Sequence, residues 1–117
     1  MELRSRVLDI PANIVVLHVS GKITTADLRP LEVEFDRLAK GPAVKLVLDL
    51  QNVSAIDSQG VGALIKARFE IVNRGGNVVL IGLNDRVLTI LKISGLHDYF
   101  AMAPSEFKAI KILEEEE

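Results

Sequence analysis

The stretch Asn52-Val53-Ser54-Ala55-Ile56-Asp57-Ser58-Gln59-Gly60-Val61-Gly62 gathers residue types able to do chemistry: a carboxylate beside a hydroxyl, followed by two glycines. It lies where an apolar run gives way to a helical pattern, and the first turn of any helix has backbone N–H groups without intrahelical partners. A polar side chain there has two uses. As an N-cap, Asp57 or Ser58 accepts one of those N–H groups, with the glycines serving turn geometry and close packing. As a phosphoacceptor, Ser58 would carry a charge of about −1.5 to −2 on an exposed corner, facing the donors and the positive dipole end of the helix. Both uses stand open from the residues alone.

Other constellations fall short of a site. Asp57, Ser58 and either His18 or His97 can be written as a hydrolase triad, but Ile56 stands where a Gly-x-Ser-x-Gly elbow needs its first glycine. Gly60 and Gly62 are followed by Ile65 instead of the third glycine of a dinucleotide loop, and no Gly-Lys-Ser/Thr phosphate loop exists. His18, inside an apolar strand pattern without a nearby Cys, Asp or Glu array, reads as a sheet-face residue and not a metal ligand, and His97 as a loop residue. Lys66, Arg68, Glu70 and Arg74 read as a solvated helix face. No catalytic residue, metal or cofactor is expected.

The elements that must position Ser58 alternate. Leu3 to Ile10 and Ile14 to Val19 read as two adjacent strands around the turn chemistry of Pro11-Ala12-Asn13, closed by Ser20-Gly21. Thr24 to Lys40 carries Leu28, Leu31, Phe35, Leu38 and Ala39 at helical spacing, with Thr24 or Thr25 as cap; Pro30 either kinks this helix or opens its regular part. Val44 to Leu50 puts Val44, Leu46, Leu48 and Leu50 on one face and Lys45, Val47 and Asp49 on the other, a strand buried mainly on one side.

The helix opened by Ser58 carries Val61, Leu64, Ile65, Phe69 and Val72, with Gly75-Gly76 available for a left-handed cap. Asn77 to Ile81 reads as a central strand, Asn84 as the cap of a helix on Val87, Leu88 and Leu91 that Ser94-Gly95 stops, and Tyr99 to Ala103 as an edge strand. Pro104-Ser105 opens a last helix on Phe107, Ile110 and Leu113. Alternation after an opening pair implies right-handed crossovers and an α/β class: a mixed, mostly parallel sheet with an N-terminal antiparallel pair and helices mainly on one face.

With 117 residues, 49% of them hydrophobic, a single domain over 1–113 is expected, followed by an acidic tail over 114–117. The 14 Lys and Arg nearly balance the acids once Glu114 to Glu117 are set apart, and there are only five aromatic residues. Without a basic block, nucleic-acid binding is not expected. The absence of Cys removes disulfides and thiolate sites, and no apolar run reaches the roughly 18 residues of a membrane span. Met1 to Arg4 does not begin a signal peptide, so the cytoplasm is the expected compartment, without direct membrane insertion.

These segments also resemble a known family. Asp57-Ser58-Gln59-Gly60-Val61-Gly62 resembles the Asp-Ser-x-Gly-aliphatic-Gly signature of the STAS domain of bacterial anti-sigma factor antagonists. Gly21-Lys22-Ile23-Thr24 with Ala26 is similar to its Gly-acid-aliphatic-Asp turn, and Ser94-Gly95-Leu96 with Phe100 to its (Ser/Thr)-Gly-Leu…Phe element. The resemblance implies a STAS-like fold and a non-enzymatic switch partner. Its unphosphorylated form would bind a serine kinase that acts as the anti-sigma factor, freeing the sigma factor, and a serine phosphatase would reverse the modification. It also implies Ser58 as phosphoacceptor, Asp57, Gln59, Gly60 and Val61 flanking it, and Ile23, Thr24 and Thr25 beside it on the partner-facing edge. Gln59 stands where the family usually has a small residue, and Lys22 and Thr24 where its turn is usually acidic. A second expectation is therefore an unmodified scaffold or regulatory subunit of a stress-signalling or lipid-transport complex.

Overall fold

The computed structural model describes residues 1–8 and 14–115. Five strands, β1 (Glu2–Val7), β2 (Ile14–Ile23), β3 (Lys45–Ile56), β4 (Asn77–Ile81) and β5 (Ala101–Met102), form one sheet in the order β1-β2-β3-β4-β5. β1 is antiparallel to β2 and every later neighbour is parallel. Four helices complete the chain: α1 (Arg29–Lys40), α2 (Ser58–Asn73), α3 (Asp85–Ile93) and α4 (Glu106–Glu114).

The topology dictates where the helices go. From β2 to β5 each new parallel strand is added on the same side of the last, and right-handed crossovers repeated in one direction put their helices on one face. α1, α2 and α3 accordingly bury Leu31, Phe35, Leu64, Ile71, Val87 and Leu91 against Val15, Leu17, Leu46, Leu48 and Leu80. α4 follows the last strand and belongs to no crossover, so it is free to take the second face. There Ala109 and Leu113 cover Ile14, Val16, Val47, Val79 and Ile81.

Several sequence expectations need correcting. Val47, assigned to the less buried side of its strand, is fully buried, because α4 seals that side. The first long helix starts at Arg29 and not at Thr24; Leu28 is its N-cap without a side-chain bond, and Pro30 sits in its first turn, where a missing N–H costs nothing. Thr24 and Thr25 lie in the preceding bend and turn and do not cap it.

β2 runs through Ser20-Gly21 to Ile23 with two register shifts, and β3 continues six residues past Leu50. The turn expected at Pro11-Ala12-Asn13 lies outside the described residues.

The α2 stripe is rotated from the expected one. Phe69 is 60% exposed and Val72 lies outside the core, while Gly60, Ala63 and Ala67 face inward. Small residues let a helix backbone approach its neighbours closely, so shape overrides side-chain hydrophobicity here. Arg68, expected on a solvated face, is half buried with its guanidinium 4.5 Å from the Tyr99 ring centre. On α4 the expected Phe107 is 66% exposed and Ala109 takes the buried place. By contrast Asn84 accepts from Val87 N–H at 3.0 Å, and Gly75, at φ 88°, gives α2 its left-handed exit.

Leu48, on the middle strand under the three-helix face, should lose about 2–5 kcal/mol of stability on Leu48→Ala. Urea unfolding checks this: the midpoint should fall while the slope stays unchanged.

Candidate functional site

β3 pairs with β4 only as far as Asp49, but with β2 as far as Ile56. A two-stranded ribbon therefore projects past the rest of the sheet, ending in two junctions side by side: the turn after Ile23 that leads to α1, and Asp57 leading into α2. The Asp57 N–H donates to Ile23 O at 3.3 Å, closing the ribbon.

Asp57 fastens these junctions. It is the N-cap of α2, with extended backbone, and its Oδ1 accepts the Gly60 N–H at 2.9 Å. Its Oδ2 accepts both the Thr25 N–H at 2.9 Å and the Thr25 hydroxyl at 3.0 Å. The backbone N–H of Thr25, then that of Gly60, hold its carboxyl below the ordinary 3.8; partial desolvation opposes them, and the Thr25 hydroxyl and the Gln59 N–H assist. Of the two cap readings, Asp57 is the one realised. Ser58 becomes the first helical residue, exposed and not needed as cap.

The remaining predicted residues divide by burial. Gln59 and Thr25 are exposed beside Ser58, and Thr24 is half buried. Ile23, Gly60 and Val61 are buried beneath them. Gly60 is there because nothing larger fits: a Cβ would lie 2.1 Å from Ile23 O and 2.9 Å from the Ile56 side chain. Sequence reasoning brought Thr25 to this edge but did not foresee that its turn is tied to Asp57. The signal was available as a spare carboxylate oxygen once one oxygen is assigned to the cap.

The site is widened by a neighbour the sequence did not single out. An open groove of about 410 Å³ lies between Ser54, Ala55 and Ile56 at the end of β3 and Asp85, Arg86, Thr89 and Ile90 on α3. Asn84 holds its inner end through Nδ2 donating to Val53 O at 2.6 Å.

His18 pairs with Asp49 at 2.8 Å and His97 neighbours Asp98 at 3.5 Å, so both histidines have partners other than Ser58. Among the described residues no group of three or more His, Asp or Glu is placed to hold a metal ion, and no helix is long and apolar enough to cross a membrane.

Two outcomes are expected of this geometry. Gly60→Ala must push the α2 entrance away from Ile23, lowering stability by about 1–3 kcal/mol in urea unfolding. Asp57 has its pKa lowered in the folded chain, so its contribution is complete above the unfolded value near 3.8 and is lost as pH falls through the lower folded value. Melting temperature against pH should therefore drop on the acid side of 3.8, and Asp57→Asn should flatten that limb, which thermal scans between pH 2 and 7 would read.

Comparisons with known proteins converge on one family. The STAS domain family model matches residues 5–109. An anti-sigma F factor antagonist of Paenibacillus polymyxa is 25% identical over 104 residues, covering 86% of this chain and 87% of the relative. An anti-sigma-B factor antagonist of Listeria monocytogenes is 29% identical over 82 residues, covering 70% and 72%. Among solved structures, the anti-sigma factor antagonist SpoIIAA in its unphosphorylated form superposes with a TM-score of 0.79 at 19% identity, covering 97% of this chain and 96% of that one. Its phosphorylated form, from Bacillus, superposes at 0.71 and 19% identity, covering 95% and 98%. The five-stranded mixed sheet, the four helices and the family match lead to one conclusion: this chain belongs to the STAS domain family.

Proposed function

We propose that this chain is an anti-sigma factor antagonist, a cytoplasmic binding protein and not an enzyme, switched by phosphorylation of Ser58. Its unphosphorylated form docks on an anti-sigma factor that is itself a serine kinase, and docking releases the sigma factor. The kinase then transfers a phosphoryl group to Ser58, and a serine phosphatase removes it. The surface used comprises Ser58, Asp57, Gln59, Thr24 and Thr25, with Ile23, Gly60 and Val61, expected from the sequence at the partner-facing edge, buried beneath it as supports, carried on a domain over 1–113 with 114–117 as an acidic appendage.

One observation carries this reading: Asp57 occupies the cap, so the Ser58 hydroxyl is left exposed at the first turn of α2. A phosphate there adds charge next to a carboxylate that already holds the Gly60 and Thr25 donors. Like-charge repulsion turns the new charge outward, toward the docked partner, where an anion without a cationic mate is costly to desolvate. A hundredfold loss of affinity needs only about 2.8 kcal/mol, so no refolding is required.

Incubation with the cognate kinase and ATP should add one phosphoryl group by intact mass, none in Ser58→Ala. Ser58→Asp should bind the kinase about a hundredfold more weakly than the unmodified chain, and Ser58→Ala should bind it normally. Phosphorylation persisting in Ser58→Ala would remove the site assignment. Exposed Gln59 favours the second reading, an unmodified scaffold or regulatory subunit of a stress-signalling or lipid-transport complex. Affinity capture from cells that recovers a membrane transporter, with no kinase and Ser58 unmodified, would decide for it.

A further inference from the structure

The sheet face covered by α4 carries a polar cluster that the proposed switch does not use. One register row across the sheet reads Arg4, His18, Asp49 and Ile81, on β1, β2, β3 and β4. His18 and Asp49 are mostly enclosed, with side chains 22% and 14% exposed, and His18 Nδ1 lies 2.8 Å from Asp49 Oδ2. Asp49 Oδ1 accepts the Gln51 N–H at 3.0 Å. On the other side of the ring, Arg6 Nε donates to His18 Nε2 at 3.4 Å, and the Arg6 guanidinium also pairs with Glu106 in the first turn of α4.

The donor inventory fixes the state of the ring. Arginine nitrogens only donate, so Nε2 must present a lone pair to Arg6, and the proton of neutral His18 sits on Nδ1, donated to Asp49. The charged groups described on this face include Glu2, Arg4 and Arg6 from β1, Asp49 and Lys45 from β3, the Lys45 ammonium donating to Leu113 O of α4 at 2.8 Å, and Glu106 from α4; β4 contributes the apolar Val79 and Ile81.

We propose that His18 is a proton-operated latch between the edge strand and α4. A proton taken from solvent at Nε2 turns the acceptor into a donor. The Arg6 N–H···Nε2 bond breaks, and two donors then face one another at the position of that bond. The imidazolium is held by Asp49, and Arg6 swings off the ring. Its pair with Glu106, already open to solvent in this structure, is then left without the ring contact that steadies Arg6 and holds the first turn of α4 to β1 only weakly. Imidazole is the side chain suited to such a change near neutral pH. The latch belongs to the face opposite α2 and does not depend on modification of Ser58.

The test is ¹⁵N NMR of the full chain from pH 7.5 to 5, following the His18 ring nitrogens and the Arg6 Nε–H together. Expected are the Nδ1–H tautomer at pH 7.5 and a shift of the Arg6 signal to the position of solvated arginines, in step with ring protonation. In His18→Gln the side-chain carbonyl can accept from Arg6 but does not titrate, so the Arg6 signal should stay in place down to pH 5. A ring in the Nε2–H tautomer at pH 7.5 would overturn the proposal, and so would an Arg6 signal unmoved while the wild-type ring protonates.

Discussion

Two junctions at the end of the β2–β3 ribbon form one surface because a single carboxylate holds both. Asp57 gives one oxygen to the first turn of α2 and the other to the Thr25 turn, while its own N–H closes on Ile23. Each junction has a backbone bond of its own, Asp27 N–H to Thr24 O at 2.9 Å and Val61 N–H to Asp57 O at 2.9 Å, but these do not tie one junction to the other. The Thr25 turn precedes a helix without a side-chain cap, and the α2 entrance has unpaired N–H groups by geometry. An ionised carboxylate is the side chain that can accept three such donors at once. Protonation or substitution of Asp57 therefore acts on the mutual placement of Thr25, Ser58 and Gln59, and not only on helix stability.

That surface is presented by a sheet whose architecture follows from handedness. Three crossovers in the same direction commit α1 to α3 to one side, and β3, inside the sheet, must then be apolar on that side from Leu46 to Leu50. The opposite side is left to one short helix. Nine residues cannot cover five strands, so α4 seals Val16, Val47, Val79 and Ile81 and leaves the row at His18 and Asp49 to be satisfied by polar contacts. A polar pair inside a strand pattern is tolerated here because each member has a partner.

Much of this was legible in the residues, and the failures share a physical cause. Asn84, Gly75 and the continuous apolar run Val78 to Ile81 act through local chemistry, which a sequence displays directly. A helix entrance at Asp57-Ser58 was legible in the same way, but the residues left either one as the cap, and the structure gives that place to Asp57. Misreadings arose where tertiary packing chose between locally equivalent options. Periodicity could place a stripe on α2, but only the close approach of Gly60, Ala63 and Ala67 to the sheet and α1 decided which face turned inward, leaving Phe69 outside. Likewise on α4 it is Ala109, packed with Val47 and Val79, that is buried, while Phe107 stays outside. The Asp57–Thr25 bond spans 32 residues, so a spare Asp57 oxygen is legible in the sequence but its partner is not.

The same division bears on the proposed switch, in which charge at Ser58 would act without disturbing the fold. A residue at the first helical position contributes its backbone to α2 whether or not its oxygen is modified, and its N–H needs no intrahelical acceptor. Since Asp57 already satisfies the Gly60 donor, a phosphate is not drawn into the helix mouth as it would be at an uncapped one. It must stay in solvent, or in the partner. The buried supports, Ile23, Gly60 and Val61, lie beneath the junction and pack it without involving the Ser58 hydroxyl. In the proposed switch, added charge on this exposed residue would lower affinity through the cost of desolvating it at the partner, so such switching rests on the exposure of Ser58 and not on a movement of α2.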